Sequence, residues 1–275
     1  MIHRAFAAMG TRWWIAADTG GALAGAEAMV HEAERHLSRF DPRSALSRLN
    51  RERRSDDPVL VEVLRAAEAA RVWTGGAFDA RLGRQLRSLG YDRDFAAIRR
   101  PTVLGTGPSA LGIEFLDGAA QLHGEGEVDL GGLAKGWTID RVARRLVEVG
   151  AREAIVDGGG DIRVLGGPHA LGVAGDRAVV LTDAAVATSS RLGRAWVDRS
   201  GHRHHHLLDP ATGESATGTL DTASVVASSA MRAEIVAKAL VVRPSLAAHV
   251  EDWGARVLVV DTAGSAWCSP GWAAA

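Results

Sequence analysis

Apolar residues recur along the chain at two spacings, one helical and one alternating, and the change between them separates helices from strands. From about Gly21, Met29, Val30, Ala33, Leu37 and Phe40 share one helical side, and Asp41-Pro42 ends that run. Ser44 stands as an N-cap for a short piece through Asn50. Asp57-Pro58 opens a longer helix, an acidic cap followed by proline in the first turn. Its apolar side is Leu60, Val63, Leu64, Ala67 and Val72, and Gly75-Gly76 stops it. Late in the chain Ser229 precedes a helix carrying Ala233, Val236, Ala237 and Leu240, which closes before Pro244; a short helix is expected over 245–253.

The alternating runs predict strands. Residues 2–17 set Met9-Gly10-Thr11 beside Arg12-Trp13-Trp14-Ile15-Ala16, a first strand or hairpin in which Trp13 and Trp14 cannot both face a core. A second strand at 154–157 is broken by Gly158-Gly159-Gly160. Short runs at 179–181, 185–187 and 195–197 look like one antiparallel group, and Arg256–Asp261 with 265–268 like a closing hairpin. Between Phe78 and Gly118 the pattern loosens, with 101–112 as a surface loop. Helices early and strands late predict an α+β fold with a mixed or antiparallel sheet, and with no linker in view it is read as one domain over residues 1–275.

The stretch richest in chemistry is Val128-Asp129-Leu130-Gly131-Gly132-Leu133-Ala134-Lys135-Gly136-Trp137-Thr138-Ile139-Asp140, a strand turning directly into a helix. Leu133, Trp137, Val142 and Leu146 fall in helical phase after the glycine pair, and Gly150 stands where a left-handed cap belongs. Such a helix start offers N–H groups and a partial positive charge to a phosphate, with Lys135 adding a full charge. The plainer reading is a turn that needs glycine for its backbone alone. A P-loop is excluded by the order Ala-Lys-Gly, and no Gly-x-Gly-x-x-Gly links a strand to a helix.

Composition narrows the classes. Net charge is −1 and the 32 basic residues are spread along the chain, which argues against nucleic acid. Cys268 is the single cysteine, so an internal disulfide framework and a thiolate zinc cluster are excluded. The first nineteen residues hold no apolar run of signal-peptide length, and no membrane segment is read, so a cytoplasmic protein is expected. His204 and His206 would share one face of a strand, but runs of this kind are mostly solvated, and that reading is preferred to zinc.

Seven fragments, taken in order, resemble the ApbE family of FAD:protein FMN transferases. They are Met9-Gly10-Thr11; Ser38-Arg39-Phe40-Asp41-Pro42 with Ser44, Leu46, Ser47 and Asn50; Gly75-Gly76-Ala77-Phe78-Asp79; and Asp129 to Gly136 with Asp140. Gly158-Gly159-Gly160-Asp161-Ile162, Thr188-Ser189, and His206-Leu207-Leu208-Asp209-Pro210 with Thr212-Gly213 complete the series. Each fragment alone is weak, and their joint order carries the resemblance.

The resemblance implies a single ApbE-like domain with helices packed around a flavin cleft. It implies FAD as substrate, magnesium at the pyrophosphate, and transfer of FMN to a threonine of an acceptor protein carrying Ser/Thr-Gly-Ala-Thr, with release of AMP. Gly131, Gly132 and Lys135 would supply donors and charge, and His206 or Asp209 the base for the incoming hydroxyl. Met9 would cover the flavin ring; Ser38, Phe78, Asp79, Asp140, Thr188 and Ser189 would line the FAD site. Each has a bland counterpart: methionine as core, Asp79 and Asp140 as helix caps, the hydroxyl pair as a turn. One departure stands out. Where the family carries Asp and Thr four residues apart as metal ligands, this chain has Glu234 and Lys238, and a protonated lysine coordinates no metal. Two other readings stay open, an FAD-binding protein without transfer and a metal-dependent FAD pyrophosphatase giving FMN and AMP.

Overall fold

In the computed structural model all residues are described except 21–22, 175–176 and 273–275. The chain opens on a hairpin of β1 (Ile2–Ala8) and β2 (Thr11–Ala17), reversed by Met9 and Gly10, both at positive φ as the tightest hairpin turns require. Then come α1 (Leu23–Leu37), α2 (Ala45–Glu52), β3 (Arg54–Ser55), α3 (Pro58–Trp73), α4 (Gly83–Ser88), β4 (Gly112–Leu116) and β5 (Ala119–His123). The central helix α5 (Ala134–Glu148) leads to β6 (Ala154–Gly158), β7 (Ile162–Leu165), β8 (His169–Val173), β9 (Arg177–Leu181) and β10 (Ala185–Ser190). The rest is β11 (Ala195–Val197), β12 (Arg203–His205), β13 (Leu220–Ala227), α6 (Ala230–Val242), a 3-10 turn at Pro244–His249, β14 (Arg256–Asp261) and β15 (Ala266–Cys268). The expected helix start at Gly21 lies outside the described residues.

Two compact units share the chain: Met1–Glu32, Leu133–Ser190 and Gly218–Ala275 form one, Ala33–Gly132 and Arg191–Thr217 the other. Among the described residues of the first, eight strands form one sheet in the order β1-β2-β6-β7-β10-β13-β14-β15, every pair antiparallel. Trp13, Ile15, Val156 and Ala185 join Val30 of α1 and Ile139, Val142 and Leu146 of α5 in one core. A second cluster takes Ile155, Val164, Val186, Val226 and Leu258 with Val179 and Leu181 of β9, and Trp14 packs against it. The two tryptophans therefore both meet a core, contrary to the sequence expectation. The sheet buries both of its faces, and alternation sends neighbours to different clusters instead of one to solvent.

The three runs expected to pair with one another do form strands, but in three different sheets: β9 pairs with β8, β10 with β7 and β13, and β11 with β12. Pairing depends on contacts far apart in sequence, which short apolar runs do not encode. In the second unit Ser44 and Asp57 cap α2 and α3 as read, accepting from the N–H of Ser47 and Leu60 at 2.9 Å each. Val72, assigned to the apolar side of α3, is 69% exposed. Leu82, Leu86, Leu89, Tyr91, Trp196 and Leu208 form a core of this unit. No helix among the described residues is long and apolar enough to cross a membrane.

Candidate functional site

Helices α5 and α6 of the first unit meet at Gly136, where an added Cβ would lie 2.5 Å from Met231 Cα. This close approach lets each helix supply an acid to the start of the other. Asp140 of α5 accepts from Ala230 N–H (2.8 Å) and Met231 N–H (2.9 Å), beside the Ser229 cap of α6. Glu234 of α6 accepts from Gly136 N–H at 2.8 Å in the first turn of α5, whose own N-cap, Leu133, has no side-chain oxygen to offer. Gly150 ends α5 at φ +93°, as expected.

Glu234 does more than cap. Its Oε1 accepts from Lys135 Nζ (2.8 Å) and Lys238 Nζ (3.0 Å), and Lys135 also pairs with Asp161, which follows the glycine turn between β6 and β7. All four side chains are largely buried, Glu234 at 1% exposure and Lys238 at 15%. Burial pushes the Glu234 carboxyl up, but Lys135 and Lys238 outweigh it and hold the acid below its ordinary range. Burial likewise lowers Lys135, and Asp161 and Glu234 reverse that and raise it. Asp161 is raised by burial against the pull of Lys135, with Glu234 adding repulsion. Two ammonium groups and two carboxylates thus form a charge-balanced set. The full positive charge expected at the glycine turn is not free there, because Lys135 turns inward to two acids.

The other predicted residues of this unit are also engaged. Met9 occupies the hairpin tip and packs against the core cluster that includes Trp13. Thr188 Oγ1 lies 2.8 Å from Ser224 Oγ across β10 and β13, and Ser189 is buried. Asp140, besides its two N–H partners, is raised first by burial, which those N–H bonds oppose. Its geometry is that of a helix cap, the plainer of its two readings.

In the second unit Gly131 donates its N–H to Asp129 Oδ1 at 2.8 Å, and Asp129 Oδ2 is ion-paired with Arg39. The Arg39 guanidinium lies 4.2 Å from the Phe40 ring centroid and 4.6 Å from that of Tyr91. Its Nη2 is buried without a hydrogen-bond partner among the described residues. Ser38 Oγ accepts from the N–H of Phe40 and Asp41, Phe78 is buried, and Asp79 holds Arg81 through both carboxylate oxygens. Gly132 completes the turn into α5 and is partly exposed.

The histidine run does not behave as one strand face. β12 ends at His205, so His204 pairs with Asp198 (3.0 Å), His205 is buried against Ala216 O (3.0 Å), and His206 Nδ1 lies 3.3 Å from Arg194 O. With the proton on Nδ1, His206 donates to that carbonyl and Nε2 becomes the basic nitrogen. Asp209 Oδ1 accepts from Ala211 N–H (3.0 Å) and its carbonyl from Gly213 N–H (2.7 Å), so this acid closes its own turn. Arg39 and Asp161, to which the sequence assigns no role, are both held in ion pairs. The signal that could have found them is charge: Asp161 is the one charge in its glycine turn, and Arg39 the one cation in its motif.

The donor set does not fit a resident magnesium. That ion takes near-octahedral oxygen ligands at about 2.0–2.1 Å. Here Glu234 already accepts three N–H groups and Asp161 one, and an inserted cation would sit against two ammoniums. No group of three or more His, Cys, Asp or Glu with metal-holding geometry occurs among the described residues.

Comparison with known proteins places this arrangement. Residues 9–251 match the ApbE family. The FAD:protein FMN transferase of Treponema pallidum is 29% identical over 263 residues, covering 82% of this chain and 72% of that protein. The enzyme of the same name from Vibrio cholerae is 27% identical over 242 residues, covering 78% and 71%. Among solved structures, the ApbE protein of Thermotoga maritima superposes with a TM-score of 0.86 at 24% identity, over 98% of this chain and 97% of that one. The flavin transferase ApbE of Vibrio cholerae gives 0.79 at 24% identity, again over 98% and 97%. These two show the fold, and the family match spans nearly all of the elements described above: this chain belongs to the ApbE family.

Proposed function

We propose that this chain is a FAD:protein FMN transferase. The reading is carried by its relatives of that name, which align at 27–29% identity over most of both chains. The reaction joins a threonine hydroxyl oxygen of an acceptor protein to the phosphorus of the FMN half of FAD. The pyrophosphate P–O bond to the AMP half breaks, AMP leaves with the bonding pair, and the hydroxyl proton passes to a base. Such a displacement calls for alignment and for positive charge near the phosphates. The acceptor threonine is expected within Ser/Thr-Gly-Ala-Thr.

His206 is the preferred base over Asp209, because the Arg194 carbonyl favours the tautomer with a basic Nε2, whereas Asp209 already closes a turn. In the second unit the unpartnered Arg39 Nη2 suits an acceptor atom of a flavin, and Phe40, 42% exposed, offers a ring face. Gly131 and Gly132 let a ligand approach backbone. Lys135 and Asp161 act as positioning residues for the start of α5, and Met9, Ser38, Phe78, Asp79, Thr188 and Ser189 shape their local walls.

The test mixes the protein with FAD and a peptide carrying Ser-Gly-Ala-Thr, with and without magnesium, and follows covalent FMN by mass spectrometry and AMP by chromatography. Flavinylated peptide with equal AMP is the expected result. Free FMN with AMP makes the protein a pyrophosphatase, and bound FAD without either product makes it a binder. His206→Ala should lower transfer by about 10²–10⁴-fold while changing FAD affinity much less. A parallel loss of fold and binding would make His206 structural.

A further inference from the structure

Lys238 is the part of the α5–α6 cluster that capping does not require. Glu234 could hold Gly136 N–H, and Lys135 could bridge Glu234 and Asp161, with any side chain at 238. Without Lys238, however, the set would be two carboxylates against one ammonium, a buried net negative charge, which is the condition that draws in a cation. Lys238 supplies that cation from the next turn of the same helix, 3.0 Å from Glu234 Oε1. An ammonium carries three N–H groups, and the one directed at Glu234 is the only one with a partner among the described residues. The side chain keeps 15% exposure, so the remaining N–H groups are not sealed in the core.

We propose that the α5–α6 site of this chain works without a divalent metal, its cation being the Lys238 ammonium, and that the ammonium's remaining N–H groups bind a phosphate oxygen of the dinucleotide substrate. The second half of this statement rests on the transferase reading; the first does not. A fixed ammonium neutralises one negative charge on a phosphate and donates hydrogen bonds to it. It cannot clamp two oxygens in octahedral geometry, so the chain is expected to trade some rigidity of the bound pyrophosphate for independence from metal supply.

The experiment has two arms. In the first, Mn²⁺ alone is titrated into the wild-type protein and free Mn²⁺ is read by electron paramagnetic resonance. Silence of the protein is expected, and binding of one Mn²⁺ per chain would overturn the proposal. This arm needs no variant and no flavin. In the second, FAD affinity is measured by flavin fluorescence in saturating magnesium and in excess EDTA, for wild type and Lys238→Met, with Lys238→Arg as the charge-retaining control and circular dichroism to confirm folding. Wild type should bind equally in both buffers. Lys238→Met should lose about tenfold in affinity, the worth of a charge-assisted hydrogen bond, and Lys238→Arg should keep most of it. Strong dependence of wild-type binding on magnesium, or undiminished binding by Lys238→Met in EDTA, would overturn the assignment. If no form binds FAD, the transferase reading and the phosphate contact both fall, and the Mn²⁺ arm still decides whether the site is metal-free.

Discussion

Two helix starts in this protein are capped by the same device and come out electrostatically opposite. At the start of α6, Asp140 accepts two backbone N–H groups, and its carboxyl is nonetheless raised, because burial costs the charged form more than the N–H bonds return. At the start of α5, Glu234 accepts one backbone N–H group and is lowered, although it is the more deeply buried acid. The difference is Lys135 and Lys238. A backbone N–H is a partial charge, whereas an ammonium is a full one, and at these two sites only the ammoniums outweigh burial. The two caps therefore teach that helix capping alone explains Asp140, while Glu234 carries a charge arrangement that capping does not need.

Glu234→Ala should have the largest effect. It removes the cap of α5 and both lysine pairs, taking Glu234 from Lys238 and leaving Lys135 with Asp161, and losses from broken buried pairs run to about 3–5 kcal/mol. Urea unfolding of the wild type and variant measures this, and a change below that of a simple cap would show that the lysines resolvate freely. Gly136→Ala comes next. A methyl group cannot fit 2.5 Å from Met231 Cα without parting the helices, and overpacking of this kind costs about 1–3 kcal/mol. Reading Asp140 and Glu234 out together in that variant, through the loss of both caps, would confirm that the close approach sets the pair.

Asp140→Ala should give the smallest loss, about 0.5–2 kcal/mol, as for other caps. Its pH dependence should also run opposite to that of Glu234. A lowered carboxyl contributes stability above its unfolded value of 4.5 and loses it as pH falls through the folded value; a raised one favours the fold relatively more as pH falls. Acid unfolding of Glu234→Gln should accordingly be flatter than wild type below that pH, and that of Asp140→Asn steeper. Identical slopes in the two variants would mean that the two caps do not differ electrostatically.

Much of the fold was legible in local signals. The caps at Ser44 and Asp57, the helix start near Ser229, the stop at Gly75-Gly76, the left-handed Gly150 and the closing hairpin all depend on neighbours within a few residues, and backbone geometry leaves such positions few solutions. The ordered motifs likewise led to the family. Partnering was not legible. Trp14 found a core because the sheet is covered on both faces, the runs at 179–181, 185–187 and 195–197 went to separate sheets, and His204, His205 and His206 each took a different partner.

The same division holds at the site. The amino-acid order alone puts an acid and a lysine one helical turn apart at 234 and 238, Lys135 after a glycine pair, and Gly136 and Asp140 on the same helix. Spacing along one helix is a matter of local geometry, and no long-range contact can alter it. The packing of the two helices brings Glu234 to Gly136 and Lys135, adds Asp161 to them, and commits Asp140 to the start of α6. Those contacts span 26 to 99 residues of chain and exist because a glycine lets two helices touch, burying charges that then have to satisfy one another.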